Sequence, residues 1–479
     1  MTPSDRNPCT FGADSSPLLH PGSISAASRR DFLIRNGIGF GGLSLASLFG
    51  LNPFDLQGGS APVGMLSPKA GHFPAKTKAV IQIFAAGAPS TVDTWDPKPE
   101  LTKNDGKKIP GYEGLALGSP FKFEKKGKSG VEVSEIFAEL GNHVDEMAII
   151  RSLYAEIPDH NIASKVLMTG SPQLNKPCLG SWSVYGLGTV NQNLPGFISL
   201  GGPAAVRQAA FLPGIYQGCN VNYDPQAPLK QILPNITSQF STADRQREQI
   251  DLAKELNSMH AAQLQKDAQL EARIQAFEIA FKMQQEAMDA FDISKEPQSI
   301  RDMYQKGGGK GKAGAKLLVA RRLIERGVRF VQVTVPNWDT HFDIANTIRE
   351  AAETIDGPAA ALLTDLKQRG LLDSTLVIWG GEFGRTPTAA ASTNGPGRDH
   401  NGRAMCAWMA GGGVRGGITY GATDEFGGRA VENKMHVHDL HATILALMGL
   451  DHTRLTYNYN GRDFRLTDNF GTVVKDLIA

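Results

Sequence analysis

Short apolar runs that break off in glycine, alternating with stretches of helical spacing, organise most of this chain. Ala79-Val80-Ile81-Gln82-Ile83-Phe84 ends in Ala85-Ala86-Gly87-Ala88-Pro89-Ser90, the pattern of a buried strand and the loop beyond it. Met147-Ala148-Ile149-Ile150-Arg151 reads the same way, followed by a loop and a helix from Asn161 to Met168 closed by Thr169-Gly170. Further on, a helix from Ala315 to Arg326 leads into a strand from Val328 to Val335. A loop with Asp339 and His341 comes next, then one long helix to about Arg369 and a strand from Leu376 to Trp379. Strands apolar on both faces, joined by helices, imply a mostly parallel sheet covered on both sides. The expected fold is therefore α/β, a three-layer α/β/α sandwich.

Two regions depart from this rhythm. From about 238 to 305 the chain is rich in Gln, Glu, Ala, Lys and Met with apolar positions at helical spacing, which predicts a helical insertion of two or more amphipathic helices. Its Met283, Met288 and Met303 read as core side chains. Gly307-Gly308-Gly309-Lys310-Gly311-Lys312 has neither a preceding strand nor a following Ser or Thr, so it reads as a turn and not as a phosphate loop. At the front, Ser28-Arg29-Arg30-Asp31-Phe32-Leu33 precedes a glycine-rich, uncharged run from Gly37 to Leu51. That is the arrangement of a twin-arginine export signal. Asn52 to about Lys76, rich in Gly, Pro and Ser, reads as a linker. The organisation expected is a signal and linker over 1–75 and one domain over 76–479. No other stretch reaches the roughly 18 apolar residues that a membrane span requires.

Charge narrows the function. With 49 basic and 48 acidic residues among 479, the chain has no basic excess for nucleic acid or an anionic surface. Its cysteines, Cys9, Cys178, Cys219 and Cys406, match neither a zinc motif nor a disulfide framework. They allow one disulfide at most in the mature chain.

Polar residues gather where strands end. One loop is Ser90 to Lys98 with Asp93 and Asp96; a second is Asn337 to Asp343 with Asp339 and His341. The third runs from Glu382-Phe383-Gly384-Arg385 to Arg398-Asp399-His400-Asn401. In parallel sheets, loops beyond the strand C-termini form the binding crevice. Carboxylates and imidazoles converging there suit a divalent cation such as zinc, manganese or calcium, with Arg385 and Arg398 available to clamp an anion. The same residues also have local readings. Asp93 and Asp96 can cap turns, Asp339 and His341 can bond to each other, and Glu382 can pair with Arg385.

Ser90 to Pro97, Asp159-His160-Asn161, Gly180-Ser181-Trp182, Trp338-Asp339-Thr340-His341, Gly381 to Pro387, Gly397-Arg398-Asp399-His400 and Asp439-Leu440-His441 together resemble the twin-arginine-exported family named domain of unknown function 1501. That family lies within the alkaline phosphatase/sulfatase superfamily. The resemblance implies an alkaline phosphatase-like fold and a metal-dependent hydrolase of sulfate or phosphate esters. Its substrate would be an anionic ester or a sulfated or phosphorylated glycan. A non-catalytic member binding an anionic glycan or an envelope partner is the alternative. It implies passage through the twin-arginine machinery to the periplasm or cell surface. On its pattern the metal ligands are Asp339, His341 and His400, joined by Glu382 and Asp93; the first-strand ligand position falls at Ala86-Gly87, so Asp93 or Asp96 would substitute there. His160 falls near the nucleophile position, as base or nucleophile, with Ser164 the nearest hydroxyl, and Arg385 and Arg398 hold the anion.

Overall fold

The computed structural model describes residues 65–172, 175–233, 242–263, 268–305 and 312–479. The paired arginines, Cys9 and most of the Gly307–Lys312 turn lie outside the described residues. In chain order, β1 (Ala79–Ala85) and β2 (Met147–Tyr154) are followed by helices α1 (His160–Thr169) and α2 (Leu179–Leu187). Strands β3 (Phe197–Leu200) and β4 (Cys219–Asn220) precede the long helices α3 (Ala243–Gln263) and α4 (Ala268–Phe291). Then come α5 (Ala313–Glu325), β5 (Phe330–Val335), α6 (Ile344–Glu353), α7 (Asp356–Gln368) and β6 (Thr375–Gly380). The chain closes with β7 (Gly384–Ala390), β8 (Gly397–Asn401), β9 (Met405–Ala410), β10 (Ile418–Tyr420), β11 (Met435–His436) and α8 (Val437–Leu447).

The main sheet runs β10-β2-β9-β6-β1-β5-β3-β4, with β11 also on β2. Only β9 is antiparallel to its neighbours, β2 and β6. β1 lies between β5 and β6, with Ala85 opposite Val335 and Phe84 opposite Gly380. Alternate β1 side chains feed two cores. Ile81 and Ile83 pack with α4, α5, α6 and α7, whereas Val80 and Phe84 pack with α1, α2 and α8. The three-layer α/β expectation is met. Met283 is buried in the first core, and Met288 and Met303 pack against it.

Three local readings change. The helix expected to reach Arg369 in one piece is two helices, α6 and α7, because Pro358 cannot donate to Thr354 and its ring opposes a continuous turn there. The polar run read as loops around Arg385 and His400 is an antiparallel hairpin, β7 with β8, in which His400 lies opposite Arg385. The described end of the expected linker is packed on the domain: Met65 and Leu66 are buried, and Thr189 donates its amide to the Leu66 carbonyl. Two apolar residues inside a Gly/Pro/Ser-rich run suffice to anchor it.

Below the C-terminal edge of β1, β5 and β6 sits an aromatic cluster. Trp95, Trp338, Trp379 and Trp408 are all buried, and Phe137 joins them, stacked on Trp95 at 4.7 Å between ring centres. Trp338 meets Trp379 edge-on at 5.6 Å and Trp379 stacks on Trp408 at 6.4 Å. Among the described residues, none of the four indole N–H groups has a hydrogen-bond partner. Cys178, Cys219 and Cys406 are buried free thiols, and burial raises each well above the ordinary thiol range.

Candidate metal centre

The parallel register of β1, β5 and β6 brings their C-terminal loops together, as such sheets do. Gly87 follows β1 with φ +111°, and a Cβ there would stand 2.4 Å from the backbone nitrogen of Asp339. The glycine therefore permits backbone contact between two loops. Trp338 is buried, and its amide donates to the Ala86 carbonyl, which presents Asp339 and His341 just beyond it. Asn337 and Asp343, at φ 78° and 42°, bend both ends of this loop, and their residue types tolerate that backbone. Gly397 lies against the backbone of His341. His160 opens α1, where the side chain of Asp159 accepts the amides of Asn161 and Ile162, an N-cap.

Three imidazoles turn Nε2 toward one carboxylate oxygen. From Asp339 Oδ1, Nε2 of His341 is 3.0 Å away, that of His160 3.3 Å and that of His400 3.7 Å. Behind them, His160 Nδ1 meets Glu382 Oε1 at 2.6 Å and His400 Nδ1 meets the Pro158 carbonyl at 2.9 Å. A carbonyl only accepts, and a carboxylate does likewise, so each Nδ1 carries a hydrogen, and in the neutral ring Nε2 keeps its lone pair. Glu382 is buried and its Oε1 also accepts the Gly87 amide at 3.0 Å. Phe383 covers His160 and His400, with ring centres at 4.8 and 4.6 Å.

This arrangement fits a cation. His160 Nε2 is a buried nitrogen without a hydrogen-bond partner. Donors on a four-coordinate ion bound at about 2.1 Å stand roughly 3.4 Å apart, which the spacings around Asp339 Oδ1 bracket. Pinning Nδ1 to a carboxylate or a carbonyl is the usual support of a ligating histidine. Two groups have donor atoms within 4.8 Å of one another: His160, Asp339 and His400; and His341, Asp399 and His400.

The electrostatics differ between the rings. The Glu382 hydrogen bond, against burial, raises the pKa of His160, which favours its protonated form. Burial, then the Arg385 charge, lowers that of His341, which favours the neutral, ligating ring. Burial pushes Asp339 up, but the Arg385 hydrogen bond and charge, with His160 and His341, outweigh it and hold the carboxyl below its ordinary value.

Of the residues expected to act here, Asp339, His341, His400 and His160 come together. Glu382 stands behind His160. The other three expectations are corrected. Arg385, fully buried, directs Nε to the Ala88 carbonyl, Nη2 to Gly87 and Asp339, and Nη1 to His341 and the Arg398 carbonyl. Its five N–H groups are all engaged inside the chain, one of them on His341 Nε2, the nitrogen that a cation would take, and it buttresses Asp339. Arg398 grips Asp93 instead, Nε to Oδ2 at 2.6 Å and Nη2 to Oδ1 at 3.0 Å, with both side chains fully buried. Asp93 is thereby engaged by Arg398, and it accepts from the Ser90 hydroxyl as well. Asp96, likewise buried, is held by Lys98 at 3.1 Å and by the Thr423 hydroxyl. Ser164 is buried within α1. Among the described residues, the hydrogen bonds of the three imidazoles and Asp339 run to carboxylate, guanidinium, imidazole and backbone, with no hydroxyl or thiol among them. Sequence reasoning missed Asp399, whose Oδ1 lies 3.8 Å from His341 Nδ1. Its adjacency to His400 was the available signal.

No curated protein matches the chain. Among solved structures it is similar to Ps i-CgsB in complex with k-i-k-neocarrahexaose, at 12% identity and TM-score 0.35 over 79% of this chain and 72% of that one. It is also similar to the PsFucS1 sulfatase from Pseudoalteromonas sp., at 14% and 0.35 over 78% and 68%. A third is alkaline phosphatase from the Antarctic bacterium TAB5, at 13% and 0.32 over 78% and 99%. Residues 77–478 match the family described as "Protein of unknown function (DUF1501)". The chain belongs to that family.

Proposed function

We propose that this protein is an exported, single-cation hydrolase of sulfate or phosphate esters, with His160, Asp339, His341 and His400 as the cation's holders. The observation that carries the reading is the set of three Nε2 atoms within 3.7 Å of Asp339 Oδ1, two of them with Nδ1 pinned from behind. An imidazole-rich set suits zinc better than manganese or calcium, which favour oxygen ligands. A cation so placed supplies Lewis-acid polarisation of an ester oxygen and a lowered pKa for water. Glu382 orients His160, Arg385 holds Asp339 in place, and Phe383 keeps water from one side of the rings. The ester class rests on the resemblance to sulfatases and phosphatases, and export rests on Arg29-Arg30 and the segment after it.

The test is elemental analysis of the purified chain, with His341→Ala and His400→Ala beside it, followed by a screen of sulfated and phosphorylated model esters. One metal per chain, lost in both variants together with turnover, is the expected result. Wild-type protein without metal after metal-replete preparation, or equal turnover in all three proteins, refutes the reading. The second reading is a member that binds an anionic glycan without cleaving it. Metal retention and glycan binding with no turnover of any ester would select it.

A further inference from the structure

The two groups of donors share His400. Its Nδ1 is committed to the Pro158 carbonyl at 2.9 Å, so the ring has one lone pair, on Nε2, for both. A cation coordinated by His160, Asp339 and His400 therefore removes His400 from the second group, and the reverse also holds. The groups differ in setting. In the first, the Asp339 side chain is 48% exposed and the His160 side chain 32%, with Glu382 buried behind His160 and Arg385 buried against Asp339. In the second, the Asp399 side chain is 67% exposed and the His341 side chain 37%. A carboxylate at the lip of a site raises the local concentration of cations and speeds their arrival.

We infer that His341, Asp399 and His400 form an outer capture position through which a divalent cation loads, His400 Nε2 then passing it to the inner position with His160 and Asp339. The protein holds one cation at a time, in one of two places. This rests on reading the cluster as a cation site. Asp399 acts on loading and not on the final coordination; His341, which faces both Asp339 and Asp399, belongs to either position.

The experiment uses the full chain stripped with chelator, cobalt(II) as the probe, equilibrium dialysis for stoichiometry and stopped-flow absorption of the cobalt bands for loading. Asp399→Asn keeps the Oδ1 atom that accepts the His400 amide at 2.8 Å, so the hairpin is left intact. Wild-type protein is expected to take up one cobalt. Asp399→Asn should also take up one, with the same final spectrum, but load about tenfold or more slowly. Asp339→Asn should still take up one, held more weakly and with a different spectrum, from the outer position. Two cobalt ions per wild-type chain, unchanged loading in Asp399→Asn, or no cobalt in Asp339→Asn each overturns the inference while leaving the cation site itself standing. No cobalt in the wild type overturns both.

Discussion

Glu382 accepts from Nδ1 of His160 at 2.6 Å, and the same oxygen accepts the amide of Gly87. This one buried carboxyl thus ties the loop after β1 to the ring at the start of α1, and in doing so decides which ring nitrogen faces Asp339. Removing such a support costs a metal site about 10–100-fold in affinity. Glu382→Ala is expected to show that loss in chelator competition. Glu382→Gln, whose amide oxygen can still accept, should lose less. Equal affinity in wild type and Glu382→Ala would mean that His160 takes no part in holding the ion.

The Asp93–Arg398 pair gives a stability prediction. Both side chains are fully buried and joined by two hydrogen bonds. Breaking such a pair from one side leaves an uncompensated buried charge and costs about 3–5 kcal/mol. Asp93→Ala should show this in urea denaturation, yet the folded fraction should retain its metal, because Asp93 holds Arg398 and not the ion. Loss of metal from folded Asp93→Ala would restore Asp93 to the ligand set.

Glycine supplies a third. A methyl group at Gly87 would meet the Asp339 amide at 2.4 Å, at a φ of +111°, and one at Gly397 would meet the His341 carbonyl carbon at 1.9 Å. Each loop would have to move. Gly87→Ala and Gly397→Ala are expected to destabilise by roughly 2 kcal/mol or more and to weaken cation retention together. A variant as stable and as metal-loaded as wild type would show that the loops yield freely.

Acid sensitivity is expected from His441. Burial holds it down to about 3, and its Nε2 donates to the Leu167 carbonyl near the end of α1 at 2.7 Å. Unfolded, the ring titrates near an ordinary histidine value, about 6.5. Below that pH the unfolded chain takes a proton that the folded chain refuses, so stability falls as pH drops from about 6.5 toward 3. At pH 5 this amounts to about 2 kcal/mol. Urea midpoints at pH 7.5 and 5.0 should therefore separate less in His441→Gln than in wild type. Identical separations would remove His441 as the cause.

Much of the sheet was legible because its signals are local. Ala79–Ala85 is an unbroken apolar run before glycine, and in the centre of a parallel sheet both faces of such a strand are buried. The hairpin of β7 and β8 was not legible: Gly384-Arg385-Thr386-Pro387 and Gly397-Arg398-Asp399-His400 have no apolar alternation, since their pairing is held by polar side chains. The gathering of Asp339, His341 and His400 could be foreseen from strand ends. Which arginine meets which carboxylate could not. Arg398 reaches back to Asp93 across 305 positions of sequence, and no spacing rule encodes a partner at that distance.

The tryptophan cluster has an optical consequence. Four of the chain's five tryptophans lie in it, buried and in mutual contact, so the ultraviolet emission of the chain comes mainly from rings beneath the candidate centre. Trp338 is the residue next to Asp339, and Trp379 leads through two glycines to Glu382. A paramagnetic ion arriving above them would dim that glow, letting occupancy be read in dilute solution without attaching any dye.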